Sequence, residues 1–234
     1  MATRNLAVLR YAVLSTLLVL AYSFFPPKLF ALTDPPLTDG SQFFEKIVQD
    51  SQLWSDYSCI TEMHNFKPDK TTISSSRFFY RKGPEIRIEV MGGGFRDGSI
   101  IVKKKDGSIR AKGGFFMGGI EMNLDPDSRM LILPSGVNAA HADLPELFLS
   151  IKQDLSKGFA IKVSSGPITE PSIPQKVFML EVLDSAQQLN RRIYLSEDKL
   201  PVRWDSFKGG KMITSTFFKN IKINAGLKDD KFQL

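Results

Sequence analysis

Hydrophobic positions along the chain change pattern three times. Tyr11 to Phe25 is a run dominated by Leu, Val, Ala and Phe, preceded by Arg4 and Arg10. A basic start before a short apolar run fits a bacterial export signal, because a spanning helix needs ~20 residues. Cleavage fits after Ser23 or after Ala31. Retention as an N-terminal anchor is the alternative, since Leu6 to Phe25 just reaches spanning length. Residues 1–31 are therefore expected to be an address, 32–40, with Pro35 and Pro36, a linker, and 41–234 a single domain. From Ser41 the spacing of Phe43, Phe44, Ile47 and Val48 predicts a helix capped by Asp39 or Ser41, with Trp54 near its apolar face.

Beyond that helix the period becomes two. Glu85 to Val90 places Ile86, Ile88 and Val90 on one face and Glu85, Arg87 and Glu89 on the other. Ile120, Met122 and Leu124 alternate with Glu121 and Asn123 in the same way. Val177 to Leu183 is apolar on both faces apart from Glu181, which predicts a central strand or one covered by a helix. Turn signals at Asp97-Gly98, Asp106-Gly107, Gly113-Gly114, Gly118-Gly119, Asp125-Pro126-Asp127, Glu197-Asp198-Lys199 and Gly209-Gly210 are spaced like hairpin connections. A second helix is expected over Asp143 to Lys157, with Asp143 as cap, Pro145 in the first turn and Gly158 after its end. The stretch from Arg191 to Phe232 reads as two long strands around Gly209-Gly210 plus a short extension. About ten antiparallel strands with two helices predict a mainly β (α+β) fold. Such a sheet must curl because strands twist, and the helices are the available lids for its concave side.

Composition narrows the chemistry. The chain has 234 residues, 42% of them apolar and 24% charged, which is a globular balance. Cys59 is the sole cysteine and the histidines are His64 and His141, so no internal disulfide is available and a four-ligand zinc site has too few donors. No metal or cofactor is expected. The formal charge of +6 includes Arg4, Arg10 and Lys28 in an N-terminal stretch that holds no acid, so the remainder is only mildly basic. That is too weak to argue for nucleic acid.

The order of export signal, helix, long meander, second helix and final meander resembles the bacterial outer-membrane lipoprotein carrier (LolA-like) superfamily. Within it, the resemblance is nearer to an uncharacterised family of exported proteins. It rests on Tyr80-Arg81-Lys82-Gly83-Pro84-Glu85-Ile86-Arg87, on Gly114 to Leu133, and on Leu200-Pro201-Val202-Arg203 followed by Phe217 to Leu227 and Phe232. The resemblance implies an unclosed antiparallel half-barrel covered by helices, with an apolar cavity for acyl chains and no catalytic residue. Lipoprotein carriers place an Arg before the strand-start Pro and an aromatic just after it. Gly83 and the region of Arg87 stand there in this chain, which favours a lipid or partner other than a lipoprotein. A lipid or acylated ligand, and a membrane surface or envelope protein, are the implied partners in the periplasm, with no nucleic acid.

Phe and Met are abundant, at 18 and 8 residues, and both line adaptable apolar sites as well as cores. Candidate cavity residues are Phe78, Tyr80, Ile86 and Ile88 in the first meander, then Met122, Leu124, Met130 and Ile132. Leu147 and Phe148 join them from the second helix, and Met179, Trp204 and Phe217 from the final meander. Lys103, Lys104, Lys105, Arg110 and Lys112, followed by Phe115 and Phe116, form a basic hairpin with an aromatic tip suited to anionic headgroups. Cys59 and His64 suggest a nucleophile and base, but a separation of five puts them on opposite faces of a strand. Glu62 and His64 share a face as a solvated pair. His141 reads as a loop histidine before the second helix. Met91-Gly92-Gly93-Gly94-Phe95 and Gly209-Gly210-Lys211 lack the continuation a phosphate-binding loop requires and read as turns.

Overall fold

The computed structural model describes residues 35–93, 97–114 and 119–234. The expected signal in residues 1–31 lies outside the described residues, as do Phe95, Phe115 and Phe116. Twelve strands form one antiparallel sheet: β1 (Leu37–Asp39), β2 (Asp56–Lys67), β3 (Lys70–Arg81), β4 (Glu85–Gly92), β5 (Ile100–Lys103), β6 (Ile109–Lys112), β7 (Glu121–Leu124), β8 (Ala160–Ser164), β9 (Phe178–Leu183), β10 (Leu189–Leu195), β11 (Pro201–Lys208) and β12 (Lys211–Ile223). Their spatial order is β1-β8-β9-β10-β11-β12-β2-β3-β4-β5-β6-β7, so β1 and β7 are edges that do not meet. The architecture is therefore an unclosed half-barrel. Two α-helices, α1 (Ser41–Gln52) and α2 (Leu144–Leu155), cover one face.

Both helices begin and end for local reasons. At the start of α2, Asp143 Oδ1 accepts from the Glu146 N–H at 2.9 Å, and Pro145 occupies the first turn where its missing N–H costs nothing. Gly158, at φ +91°, takes the left-handed conformation that closes the C-terminal turn. The cap position of α1 is Gly40, not Asp39 or Ser41. A Cβ there would lie 3.1 Å from the Lys162 carbonyl carbon in β8, so a close backbone approach selects glycine. Asp39 still takes part, accepting from the Ser41 N–H at 3.0 Å.

Three elements differ from expectation. Leu37–Asp39, inside the expected linker, is an exposed edge strand paired with β8. It contributes backbone hydrogen bonds and little burial, which leaves no hydrophobic signal. The C-terminal stretch holds three strands, because Ser196 to Leu200 breaks it before Gly209-Gly210 does. Phe178–Leu183 is covered on both faces, as expected, but lies third from the β1 edge; the middle of the sheet is β12 beside β2. At Gly209-Gly210 both φ values are positive, the two-residue hairpin turn that follows the sheet's twist.

Candidate functional site

The concave face is an apolar trough plugged by helices. Register places Tyr57 and Cys59 of β2, Phe78 and Tyr80 of β3 and Ile86 and Ile88 of β4 in adjacent pairs on this face. Trp204, Ile193 and Leu180 continue it across β11, β10 and β9. Phe44, Ile47 and Val48 of α1 and Leu144, Phe148 and Ile151 of α2 fill the space above, each at most 3% exposed. Phe148 lies 6.0 Å from Trp204 and 6.2 Å from Phe44, ring to ring. Side chains bordering a void large enough for water would show accessible area towards it. At these positions the trough is therefore filled.

The thirteen residues expected to line a cavity divide accordingly. Phe78, Tyr80, Ile86, Ile88, Phe148 and Trp204 meet in this one cluster, with Leu124 and Leu147 half-buried against it. Met122 pairs with Ala111 on the same face and is half-buried. Met179 packs in a second cluster on the convex face, with Ile168, Ile173, Val177 and Tyr194. Phe217 also faces outward, 5.3 Å from the His64 ring, while its neighbour Phe218 packs on the main cluster. Met130 and Ile132 are more than 40% exposed in the segment after β7. Two apolar residues in succession on a strand occupy opposite faces, and sequence does not say which is inward.

The N-terminal end of α2 docks on the sheet through polar groups. The Leu144 N–H donates to the Tyr57 hydroxyl at 2.9 Å in a fully buried contact, satisfying one of the helix's unpaired donors. Burial pushes the Tyr57 hydroxyl pKa well above its ordinary value. Asp143, 4% exposed, is also raised, chiefly by desolvation, which outweighs its hydrogen bond from Glu146. Cys59 is buried in the trough and desolvation pushes its thiol up to about 12. His64 lies on the other face, where its Nε2 is 2.9 Å from Glu62 Oε1. Lys219 and then His64 hold the Glu62 carboxyl below its ordinary range. Cys59 and His64 are thus not assembled as a nucleophile and base. His141 is exposed at the end of a 3-10 turn, Ala139–His141, and Gly209-Gly210 is a hairpin turn.

The basic hairpin is not one surface. Lys103 points inward and donates to the Ala140 carbonyl at 2.8 Å. Arg110 pairs with Glu121 at 2.7 Å, and Lys112 reaches the other oxygen of that carboxylate at 3.8 Å. Lys104 and Lys105 instead line an open pocket of about 520 Å³ with Arg81, Lys82, Glu85, Asp229, Phe232 and Gln233. Its far wall is the C-terminal 3-10 turn, Asp229–Phe232, held by groups to which the sequence pattern gave no such role. Asp56, 5% exposed, accepts from the N–H groups of Ala225, Gly226 and Leu227. Arg81 bridges Glu85 and Asp229, and its guanidinium lies 4.7 Å from the Phe232 ring centre.

A second polar centre lies on the convex face around Arg203, to which the sequence pattern gave no role. Arg203 lies between the rings of Tyr194 and Phe217, donates to Asp205 at 2.8 Å and Ser215 at 3.0 Å, and reaches Glu170 and Ser172. Glu170 and Ser172 belong to the segment between β8 and β9, so Arg203 pins that segment to the sheet. Among the described residues no three His, Cys, Asp or Glu side chains come together as a metal site.

No family model matches the chain, and no curated protein does. Solved structures do resemble it. MucB is 12% identical with a TM-score of 0.51, covering 82% of this chain and 62% of MucB. A LolA superfamily protein from Nitrosomonas europaea is 9% identical with a TM-score of 0.43, covering 84% of this chain and 98% of that one. The lipoprotein LppX of Mycobacterium tuberculosis is 12% identical with a TM-score of 0.47, over 80% and 98%. At these identities the likeness concerns the fold alone, an unclosed antiparallel half-barrel covered by helices.

Proposed function

We propose that this protein is an exported, non-catalytic binding or carrier protein that takes a lipid or acyl chain into the trough between sheet and helices. The supporting observation is that side chains of α1 and α2, not closure of the sheet, fill the concave face. The polar ties holding these helices are few. Glu45 and Lys152 join them to each other at 2.8 Å, Asp154 of α2 pairs with Arg191 at 2.8 Å, the Leu144 N–H of α2 donates to the Tyr57 hydroxyl at 2.9 Å, and the Gln52 carbonyl of α1 accepts from Lys82 at 2.8 Å. An acyl chain offers the same chemistry as Phe44, Val48 and Phe148. Exchanging helix for ligand therefore leaves the buried apolar area nearly balanced. The basic start and apolar run within residues 1–31 support a periplasmic location, with or without a retained anchor.

A second reading, an envelope module that docks a protein without carrying a ligand, draws on Ile120, Met130 and Ile132. These are 60%, 44% and 42% exposed in the stretches that precede and follow β7 in sequence, and β7 is an edge strand. Native mass spectrometry of the full chain, purified from the envelope without detergent, separates the two. A 1:1 adduct containing acyl chains, and uptake of a fluorescent fatty acid after stripping, are expected for the carrier. A clean apo mass with no uptake of fatty acid or phospholipid overturns it, and cross-linking from Ile132 then looks for the protein partner.

A further inference from the structure

We infer that the pocket between the β3–β4 turn, the β5–β6 turn and the C-terminal 3-10 turn binds a phosphate group. Its walls come from three stretches far apart in sequence, and their charges do not cancel. Of its four basic residues, Arg81 is committed to the framework by Glu85 and Asp229. Lys82, Lys104 and Lys105 have no carboxylate within 4.0 Å among the described residues. Lys82 donates to the neutral Gln52 carbonyl, which leaves its charge uncompensated. Asp106 in the hairpin accepts from the Ser108 N–H at 2.9 Å and the Ser108 hydroxyl at 2.6 Å, and Lys104 acts on it only as a more distant charge. Arg81, Lys82, Lys104 and Lys105 thus line about 520 Å³ together with two carboxylates, Glu85 and Asp229, so cations predominate in the lining.

The backbone delivers these charges by design of the turn. Gly83, at φ +121°, has the Lys105 methylenes 3.9 Å from where a Cβ would stand, so the lysine stem lies across the β3–β4 turn. Phe232, 2% exposed, closes the floor beneath Arg81. Arg87 donates to the Gln233 carbonyl and fixes the far wall. The Lys104 and Lys105 ammonium groups, with Lys82 beside them on the Gln52 carbonyl, suit an oxyanion with several acceptor oxygens and a charge between one and two, which a phosphate ester supplies and a neutral ligand does not. That chemistry belongs equally to a phospholipid headgroup and to a soluble phosphoester. The pocket lies against the outward side of β3 and β4, away from the trough, and Lys82 is its one lysine tied to a helix that covers the trough.

The test is an amide NMR titration of the full chain at constant ionic strength with inorganic phosphate, glycerol 3-phosphate and glycerophosphoglycerol. Saturable shifts are expected at Lys82, Lys104, Lys105 and Gln233. K104Q/K105Q, at positions with no tie to either helix, should weaken binding about tenfold or more while its spectrum elsewhere and its fatty-acid uptake stay as in the parent. Tighter binding of the diester assigns a lipid headgroup, and tighter binding of the monoester or inorganic phosphate assigns a soluble ligand. Shifts that rise linearly, are matched by chloride, or persist in the K104Q/K105Q variant overturn the site.

Discussion

Along β2, β3 and β12 one face of the sheet changes character halfway. At the helix end it presents Tyr57, Cys59, Phe78, Tyr80 and Phe218, packed against α1 and α2. Towards the other end the same register presents Thr61, Met63 and Asn65 opposite Ser76, Ser74 and Thr72, with Thr216 and Thr214 alongside. Most of these are half-buried, and no helix lies over them in the main cluster. The backbone ladder is continuous through both halves, so strand formation does not require a dry face. Dry packing at one end comes from the helices, and the small hydroxyl side chains at the other match a face left partly open.

The largest break in that contrast is F148A. Phe148 is 1% exposed between Trp204 and Phe44, and its removal should cost about 3–5 kcal/mol in denaturant unfolding. A loss below 1 kcal/mol would mean that the trough is not packed as described. Y57F comes next. It leaves the buried Leu144 N–H without an acceptor and should cost about 1–3 kcal/mol.

Asp143 sharpens the picture through pH. Its folded-state pKa is raised by desolvation, so the folded state holds this proton more tightly than the unfolded chain. Stability from this group is present in acid and falls as pH rises through the interval between the unfolded and folded values. D143A should cost about 1 kcal/mol by losing the cap. D143N keeps an acceptor for Glu146 without the charge, so it should match or exceed the parent at neutral pH and lose that advantage in acid. A D143N deficit that grows with pH would contradict the sign. The smallest effect is expected for T216V at the open end, within about 0.5 kcal/mol. A cost above 1 kcal/mol would show that this half is packed like the other.

Much of the fold was legible because it depends on short-range rules. Period two marked β4 and β7, Asp143 and Pro145 marked the start of α2, and Gly209-Gly210 marked a hairpin. The site was legible only in part. Phe217 and Phe218 carry identical signals, and the irregular register between Lys219 and Lys222, with Asn220 at φ +54°, is what keeps Ile221 and Ile223 on the core side. The five basic residues of the hairpin look alike in sequence, yet Glu121 and the Ala140 carbonyl occupy three of them. Lys104 and Lys105 are left to face Lys82 across a turn about twenty residues away.

By itself, the sequence determined the alternation of faces, the capped start of α2 and the placement of Cys59 and His64 on opposite faces of one strand. These follow from backbone geometry and the chemistry of single residues. Only the tertiary structure decided that the trough is filled by helices, that Arg203 pins a loop, and that three lysines share a pocket with the C-terminal turn. Each of those depends on which distant segments the sheet order brings together, and no local periodicity encodes that.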